Sequence, residues 1–543
     1  MSQAPTGPGG TTSSPAEPGG TPAPAPLASG ATSHPAAGGR AAGPARYAPA
    51  AAAAAVMVVL GIWGLARDSA MGNDEVATRW AALLSLRDLA HLVDNVDAVH
   101  GFYYLLMHGW AAVGSSPEVL RIPSLAAMAV AAALVAIMAG RLTGSGWAGL
   151  FAGLVMALTP VISYYAQTAR SYAMVCACVA GATLVLVHAL QAEAAGASGR
   201  RIARWWVAYG TLVTIGGYLN ELALLMLAAH AITVLLARSG RPAVRHWAAA
   251  AAVGAVLVTP LLLVSLREDS AVNWISRPGL AALRILFHDY FGATTAVALL
   301  LAACAIVAVL PARGAGAAAP WWRSGGVTLP SVGVPLLVVP ALLLIAESLV
   351  ARPLYVDRYV LYGEAGAALL AGAGMWRIGR WLAGRTGRRE LLWAPGVVVC
   401  ACVLLLQLGP QHRIRLPESR LYNFGGPSAY LGAHARPGDG VLFFTDFFRK
   451  ARLGYPGDFT KTSDFAMAVS PQQAGTFRGR DKSFAATLPL MLAHQRIWVL
   501  GQDPSLRLPP GQLRDESLVL RQHFHRAARR YFRGIVVTLW VRR

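Results

Sequence analysis

The chain has 543 residues, of which 55% are hydrophobic and only 13% charged, whereas a soluble domain carries roughly a quarter charged residues; the composition argues against a single soluble core. A formal net charge of +21 would point to nucleic acid in a soluble protein. Here the arginines gather in short loops between apolar runs, the pattern of cytoplasmic loops in membrane proteins, and no basic stretch is interleaved with aromatics in a recognisable nucleic-acid module.

Residues 1–45 are mostly Pro, Ala, Gly, Ser and Thr, too poor in large apolar side chains to offset the entropy of ordering, and read as a disordered cytoplasmic tail. They open with no basic region followed by an apolar stretch, so no cleaved signal is expected. Apolar segments follow near 50–66, 119–139, 146–163, 172–190, 205–219, 222–237, 247–266, 295–310, 331–348, 359–376 and 391–409. Many approach the roughly 20 residues that span the hydrocarbon layer. They predict a mainly α, polytopic bundle of about eleven transmembrane helices over residues 46–410. The basic loops at Arg200, Arg201 and Arg204, at Arg238, Arg241 and Arg245, and at Arg377, Arg380, Arg385, Arg388 and Arg389 mark the cytoplasmic side. Segments 67–118, 164–171, Asn220–Glu221, 267–294 and 349–358 then face outward. In the first of these, VDAVHGFYYLLMHGW reads as helix lying along the membrane surface.

Beyond residue 410 the composition changes. Short β-rich runs such as GVLFF, RIWVLG and GIVVTLWVRR alternate with helix-like stretches, predicting a small α/β domain over 411–543. An odd number of spans places it outside the membrane, opposite the tail. The five cysteines, Cys176, Cys178, Cys304, Cys400 and Cys402, all lie in apolar runs and read as packing residues, with no zinc-like spacing.

The residues suited to chemistry sit in the outward segments. GNDEVATRW places Asp74 and Glu75 just after the first apolar segment. Such a pair can cap a helix, or one carboxylate can take a proton from an acceptor hydroxyl that attacks a sugar bonded to phosphate. SYYAQTARSYA brings Arg170 together with Tyr164, Tyr165, Gln167 and Tyr172, and ARPLYVDRYVLY brings Arg352 and Arg358 together with Tyr355, Asp357 and Tyr359. Guanidinium groups grip phosphate bidentately, although arginine at a helix end also snorkels toward headgroups. Glu221 in its tight turn reads either as a solvated residue or as part of a cavity. His100 and His108, eight apart, fall near one helix face and read as packing or headgroup contacts more than a metal site. Trp274 serves either as an interfacial anchor or as a cover over a lipid groove.

Taken together, these motifs resemble the polytopic GT-C glycosyltransferases, in particular the glycosyltransferase 39 and protein mannosyltransferase-like group of actinobacteria. The resemblance runs through GNDEVATRW, VHGFYYLLMHGW, EVLRIPSLAAM, YYAQTARSYAM, NWISRP and VDRYVL and spans roughly residues 50–410, more loosely the trailing domain. It implies Asp74 as catalytic base with Glu75 as neighbour or second contact, and Arg358 and Arg170 facing a polyprenyl phosphate. Arg352 is a further phosphate candidate, and Tyr164, Tyr165, Tyr172, Glu221, Trp274, Tyr355, Asp357 and His100 are candidates for the substrate cavity. It also implies a polyprenyl-phosphate-linked sugar donor, a protein, lipid or glycan acceptor outside the membrane, and transfer with inversion. It implies no cofactor, leaves a divalent cation open, and assigns no metal ligands. A transporter or flippase would instead place ionisable residues mid-membrane, and a non-catalytic envelope-assembly protein would scatter these residues over its outer surface.

Overall fold

The computed structural model describes residues 44–65, 70–267, 274–311, 321–323, 325–420, 422–501 and 511–543. The expected tail therefore lies outside the described residues except at its end, as does the start of the NWISRP segment. Residues 47–543 form one compact unit.

It begins with α1 (Ala48–Ile62), followed by three short helices, α2 (Asn73–Leu83), α3 (Leu86–Asn95) and α4 (Gly101–Trp110). The bundle continues through α5 (Pro117–Thr143), α6 (Gly146–Leu158), α7 (Pro160–Ala166), α8 (Tyr172–Ala194), α9 (Gly199–Leu219), α10 (Met226–Leu236) and α11 (Arg241–Ser265). It ends with α12 (Leu280–Phe291), α13 (Thr295–Val309), α14 (Leu329–Val350), α15 (Glu364–Thr386) and α16 (Ala394–Arg413). Every apolar segment read in the sequence overlaps at least one of these helices. Among the described residues six helices are long and apolar enough to cross a membrane, or up to eight if each of two bent pairs is one span; the others are shorter or more polar. The protein is a multi-pass membrane protein.

Two breaks depart from the sequence expectation. The segment 146–163 divides into α6 and α7, bent by 69°, because Pro160 holds Thr159 in an extended conformation (φ −71°, ψ 121°) that ends a helix. The outward segment 267–294, read without a helix of its own, carries α12, which joins α13 at 72° through Gly292 at φ 122°, a backbone conformation glycine adopts without strain. His100, expected on a helix face with His108, precedes α4 in a 3-10 turn, Ala98–His100.

α15 occupies the centre, packed on α6, α13 and α14. Its run AGAALLAGAG allows this, since small residues let helix backbones approach. A Cβ added at Gly374 would overlap the Cys304 carbonyl of α13, one at Gly372 the backbone of Ala152 on α6, and one at Gly366 the backbone of Leu337 on α14.

The C-terminal region carries α17 (Gly425–His434), β1 (Asp439–Phe444), α18 (Lys450–Gly454), β2 (Thr462–Asp464), β3 (Met467–Val469), α19 (Pro471–Ala474), β4 (Arg480–Asp481), α20 (Phe484–Ala493), β5 (Arg496–Gly501), α21 (Gln512–His523), β6 (Phe524–Phe532) and β7 (Ile535–Arg542). Its main sheet runs β2-β1-β5-β7-β6, parallel through β2, β1 and β5 and antiparallel through β7 and β6, with β3 and β4 as a separate pair. Alternation along the strands sends Val441, Phe443, Trp498 and Leu500 into one core and Leu442, Phe444, Ile497 and Val499 into another, so both faces are covered. The first of these cores also takes in Met71 and Val76, fastening the sheet to α2. The Met71 amide donates to Tyr455 Oη (2.8 Å), and Arg79 Nη1 donates to the Gly454 carbonyl (2.9 Å).

Gly374→Val should therefore destabilise the bundle by at least the roughly 1–3 kcal/mol of overpacking, read as a lower unfolding temperature of the detergent-purified protein. Gly384→Ala, whose Cβ meets nothing within 4 Å, should leave that temperature unchanged.

Candidate active site

The two acidic residues of GNDEVATRW open α2 but point to different tasks. Glu75 is buried, and Arg121 of α5 donates to both its oxygens, Nε to Oε1 at 2.8 Å and Nη2 to Oε2 at 3.0 Å. The Ala169 amide also donates to Oε1 (3.1 Å) and the Gly72 amide to Oε2 (3.3 Å), the latter being the glutamate half of a capping box. Burial alone would raise the Glu75 pKa, but Arg121, Arg420 and these hydrogen bonds hold it down at about 2. Glu75 is thus a permanently charged anchor whose oxygens are already taken.

Asp74 sits one residue earlier and lines a cavity of about 730 Å³. Asn73 Nδ2 donates to its Oδ1 (3.1 Å). Burial pushes its pKa up, and the nearby Arg170, Arg358, Lys450 and His100 more than reverse this, to about 2. The helix N-terminus also favours its charge.

The same cavity is lined by Glu75, Tyr164, Tyr165, Tyr172, Trp274 and Arg358, joined by Arg420 and, from the C-terminal region, Thr445, Phe447, Phe448 and Arg478. Arg358 donates from Nε to Tyr172 Oη (3.0 Å) and lies 5.4–5.9 Å from the ring centres of Tyr172, Trp274 and Tyr359, which hold the guanidinium by cation–π contact. Arg420 stacks over Tyr164 at 4.4 Å and donates to Thr168 Oγ1 (2.6 Å) and the Gln167 carbonyl (2.7 Å).

Arg170 is buried in the connection between α7 and α8. Its Nη1 donates to Tyr104 Oη (3.0 Å), and Tyr104 in turn donates to Asp97 Oδ2 (2.5 Å). Asp97 also pairs with His100 at 3.6 Å. Burial, with the Arg170 charge adding to it, lowers the His100 pKa to about 4, so this imidazole is neutral at physiological pH.

The remaining expected residues lie elsewhere. His100, Glu221 and Arg352 line a separate cavity of about 140 Å³ with Asp97, Ser265 and Tyr359, where Ser265 Oγ donates to Glu221 Oε1 (2.8 Å). Tyr355 packs among Ala341, Leu344 and Val360. Asp357 hydrogen-bonds to Asp289, which lines a mostly apolar groove of about 620 Å³ with Pro160, Val161, Ile285 and Ile414; Tyr164 borders both this groove and the central cavity. Among the described residues no three His, Cys, Asp or Glu side chains converge to hold a metal ion.

Sequence reasoning missed Asn73, Asp97, Tyr104, Arg121, Arg420, Lys450 and Arg478. Arg121 carried a readable signal, an arginine within the apolar run EVLRIPSLAAM, which demands a buried partner. Arg420, Lys450 and Arg478 carried none, lying some 345–400 positions from the acidic pair they approach.

This fold, with short helices carrying an acidic pair between the first two long helices and C-terminal residues lining the cavity, is of the GT-C type seen in ArnT. Over 89% of its length the chain superposes on ArnT from Cupriavidus metallidurans in the apo state, covering 96% of that chain at a TM-score of 0.55 and 14% identity. The same protein bound to undecaprenyl phosphate gives a TM-score of 0.54 at 13% identity, with the same coverage. Residues 100–265 match the sequence profile of the dolichyl-phosphate-mannose-protein mannosyltransferase family. No curated protein matches the chain significantly in sequence.

Breaking a buried ion pair from one side costs about 3–5 kcal/mol, so Arg121→Met and Glu75→Gln should each strongly lower the unfolding temperature of the purified protein. The double variant should lose clearly less than the sum of the two; additive losses would show that the pair is not coupled.

Proposed function

We propose that the protein is a polyprenyl-phosphate-dependent membrane glycosyltransferase that moves a sugar, with mannose the first candidate, onto a hydroxyl of a protein, lipid or glycan acceptor outside the membrane. The observation that carries this reading is the single cavity in which an ionised Asp74 meets Arg358, Arg420 and Arg478, beside an apolar groove reached past Tyr164. A cavity of this size is in the range of small-molecule sites, and the groove suits a polyprenyl chain whose phosphate reaches the arginines. The undecaprenyl phosphate held by ArnT supports the donor class, and the mannosyltransferase profile supports the sugar.

In this mechanism Arg358, with Arg420 and Arg478 on the same cavity, holds the donor phosphate by charge-assisted hydrogen bonds, and Arg170, buried behind Tyr104, attracts it by its charge. The acceptor hydroxyl gives its proton to Asp74 as its oxygen bonds to the anomeric carbon, on the face opposite the phosphate. The anomeric C–O bond breaks, its electron pair stays on the leaving phosphate, and the arginines stabilise that charge. The product therefore has inverted configuration. At a pKa of about 2 Asp74 is a weak base in the resting site. A phosphate anion that takes up the charge of Arg170 and Arg358 weakens their pull on Asp74 and raises its basicity, so the base is strengthened when the donor is in place. The reading places the 1–45 tail in the cytoplasm, the helical region 46–410 in the membrane as the catalytic domain, and 411–543 outside as its roof.

Purified protein should transfer labelled mannose from a polyprenyl-phosphate donor, with inverted anomeric configuration by NMR of the product. Asp74→Asn should lower turnover about 10²–10⁴-fold, the scale of general base catalysis, while donor binding persists, and Arg358→Ala should raise the donor KM. Wild-type inactivity with mannose, arabinose and glucose donors would overturn the assignment, and retained configuration would overturn the single displacement.

A further inference from the structure

We propose that Lys450, on the C-terminal region, is a positioning residue for the working carboxylate: it orients Asn73, and through Asn73 it orients Asp74. This rests on the reading of Asp74 as the base and adds the group that sets its geometry.

Lys450 is the first residue of α18 and is buried. Its Nζ donates to Asn73 Oδ1 at 2.7 Å, and Asn73 Nδ2 donates to Asp74 Oδ1 at 3.1 Å. An ammonium has only donors and a carboxylate only acceptors. The amide between them satisfies both in one orientation: reversed, it would turn its NH₂ on the ammonium and its oxygen on the carboxylate. The lysine therefore fixes which end of Asn73 meets Asp74, and so the carboxylate rotamer presented to the cavity.

The ammonium is itself held. The rings of Phe447 and Phe477 lie 5.2 and 5.1 Å from Nζ, a cation–π clasp from two sides. Phe477 in turn packs edge-on against Trp80 of α2, with ring centres 5.5 Å apart. Of the 47 Lys and Arg residues only Lys450, Lys461 and Lys482 are lysines, so a lysine is not this chain's default cation. It differs from arginine in losing its charge within reach of physiological pH when buried. Burial lowers the Lys450 pKa to about 8, with Arg478 and Arg170 adding to that and Asp74 and Asp97 opposing it. The charged relay is present below about pH 8 and lost as pH rises through that value.

Full-length protein purified in detergent, assayed with polyprenyl-phosphate mannose, tests this. Lys450→Met keeps the length and apolar character that the aromatic clasp accepts. It should lower kcat at least tenfold with donor KM unchanged and with no fall in unfolding temperature. Lys450→Arg should recover part of the loss and move the alkaline limb of the kcat profile above its wild-type position near pH 8. Asn73→Ala, which cuts the relay without touching the clasp, should match Lys450→Met, and the double variant should be no worse than either single one. Wild-type kcat in Lys450→Met, an unmoved alkaline limb in Lys450→Arg, or additive losses in the double variant would each overturn the relay. Asp74→Asn run alongside separates the two readings. Activity in Asp74→Asn overturns the base assignment itself, whereas an inactive Asp74→Asn beside a fully active Lys450→Met overturns the relay alone.

Discussion

The site depends on the ion pair between Glu75 and Arg121. Two charges taken out of water are costly to bury unless geometry and further hydrogen bonds compensate, and here the bidentate contact is completed by backbone amides at Ala169 and Gly72. The pair ties the first turn of α2 to α5 and to the connection before α8. Arg121 also donates from Nη2 to the Ala70 carbonyl (2.7 Å), so the approach to α2 is held as well. With Glu75 turned inward, helical geometry rotates Asp74 about 100° away, toward the cavity. Adjacent carboxylates thus differ by position on a helix, Glu75 tied down by hydrogen bonds and Asp74 left to the cavity.

Around Asp74 the surplus charge is positive. Arg358 is held by aromatic rings and Arg170 by the Tyr104–Asp97 chain. Each guanidinium is therefore oriented before any ligand arrives, which cuts the ordering cost of binding an anion. The Asp97 carboxylate partly balances Arg170 from behind, leaving the net positive field in the cavity itself.

Much of this architecture was legible from the chain. Apolar runs located the helices, because membrane length imposes a long and simple pattern, and the short β-rich runs GVLFF and RIWVLG located the sheet. The acidic pair, Arg358 and the Tyr164–Tyr172 stretch were legible because polar residues at the edge of apolar segments stand out. The break at Pro160 and the bend at Gly292 were hidden inside runs whose composition does not change across them. Only the family resemblance set Asp74 apart from Glu75; the residues themselves did not, since that difference depends on Arg121, 46 positions from Glu75. The split of the remaining candidates between cavities depends on how helices lean together, which no local pattern records: His100, Glu221 and Arg352 share the smaller one.

The sheet order has a consequence for biosynthesis. β7 lies between β5 and β6 and pairs with both along its length, so the latest of the described strands in chain order is an interior strand. Until it is inserted, the partly made sheet ends at β5 and cannot finish the core shared with Met71 and Val76. A nascent chain can thus complete the described helices of its bundle and still hold its C-terminal region loosely. That core closes only once β7 has been made, and a chain stalled or clipped before β7 lacks the share that Ile535, Val537 and Leu539 contribute to it.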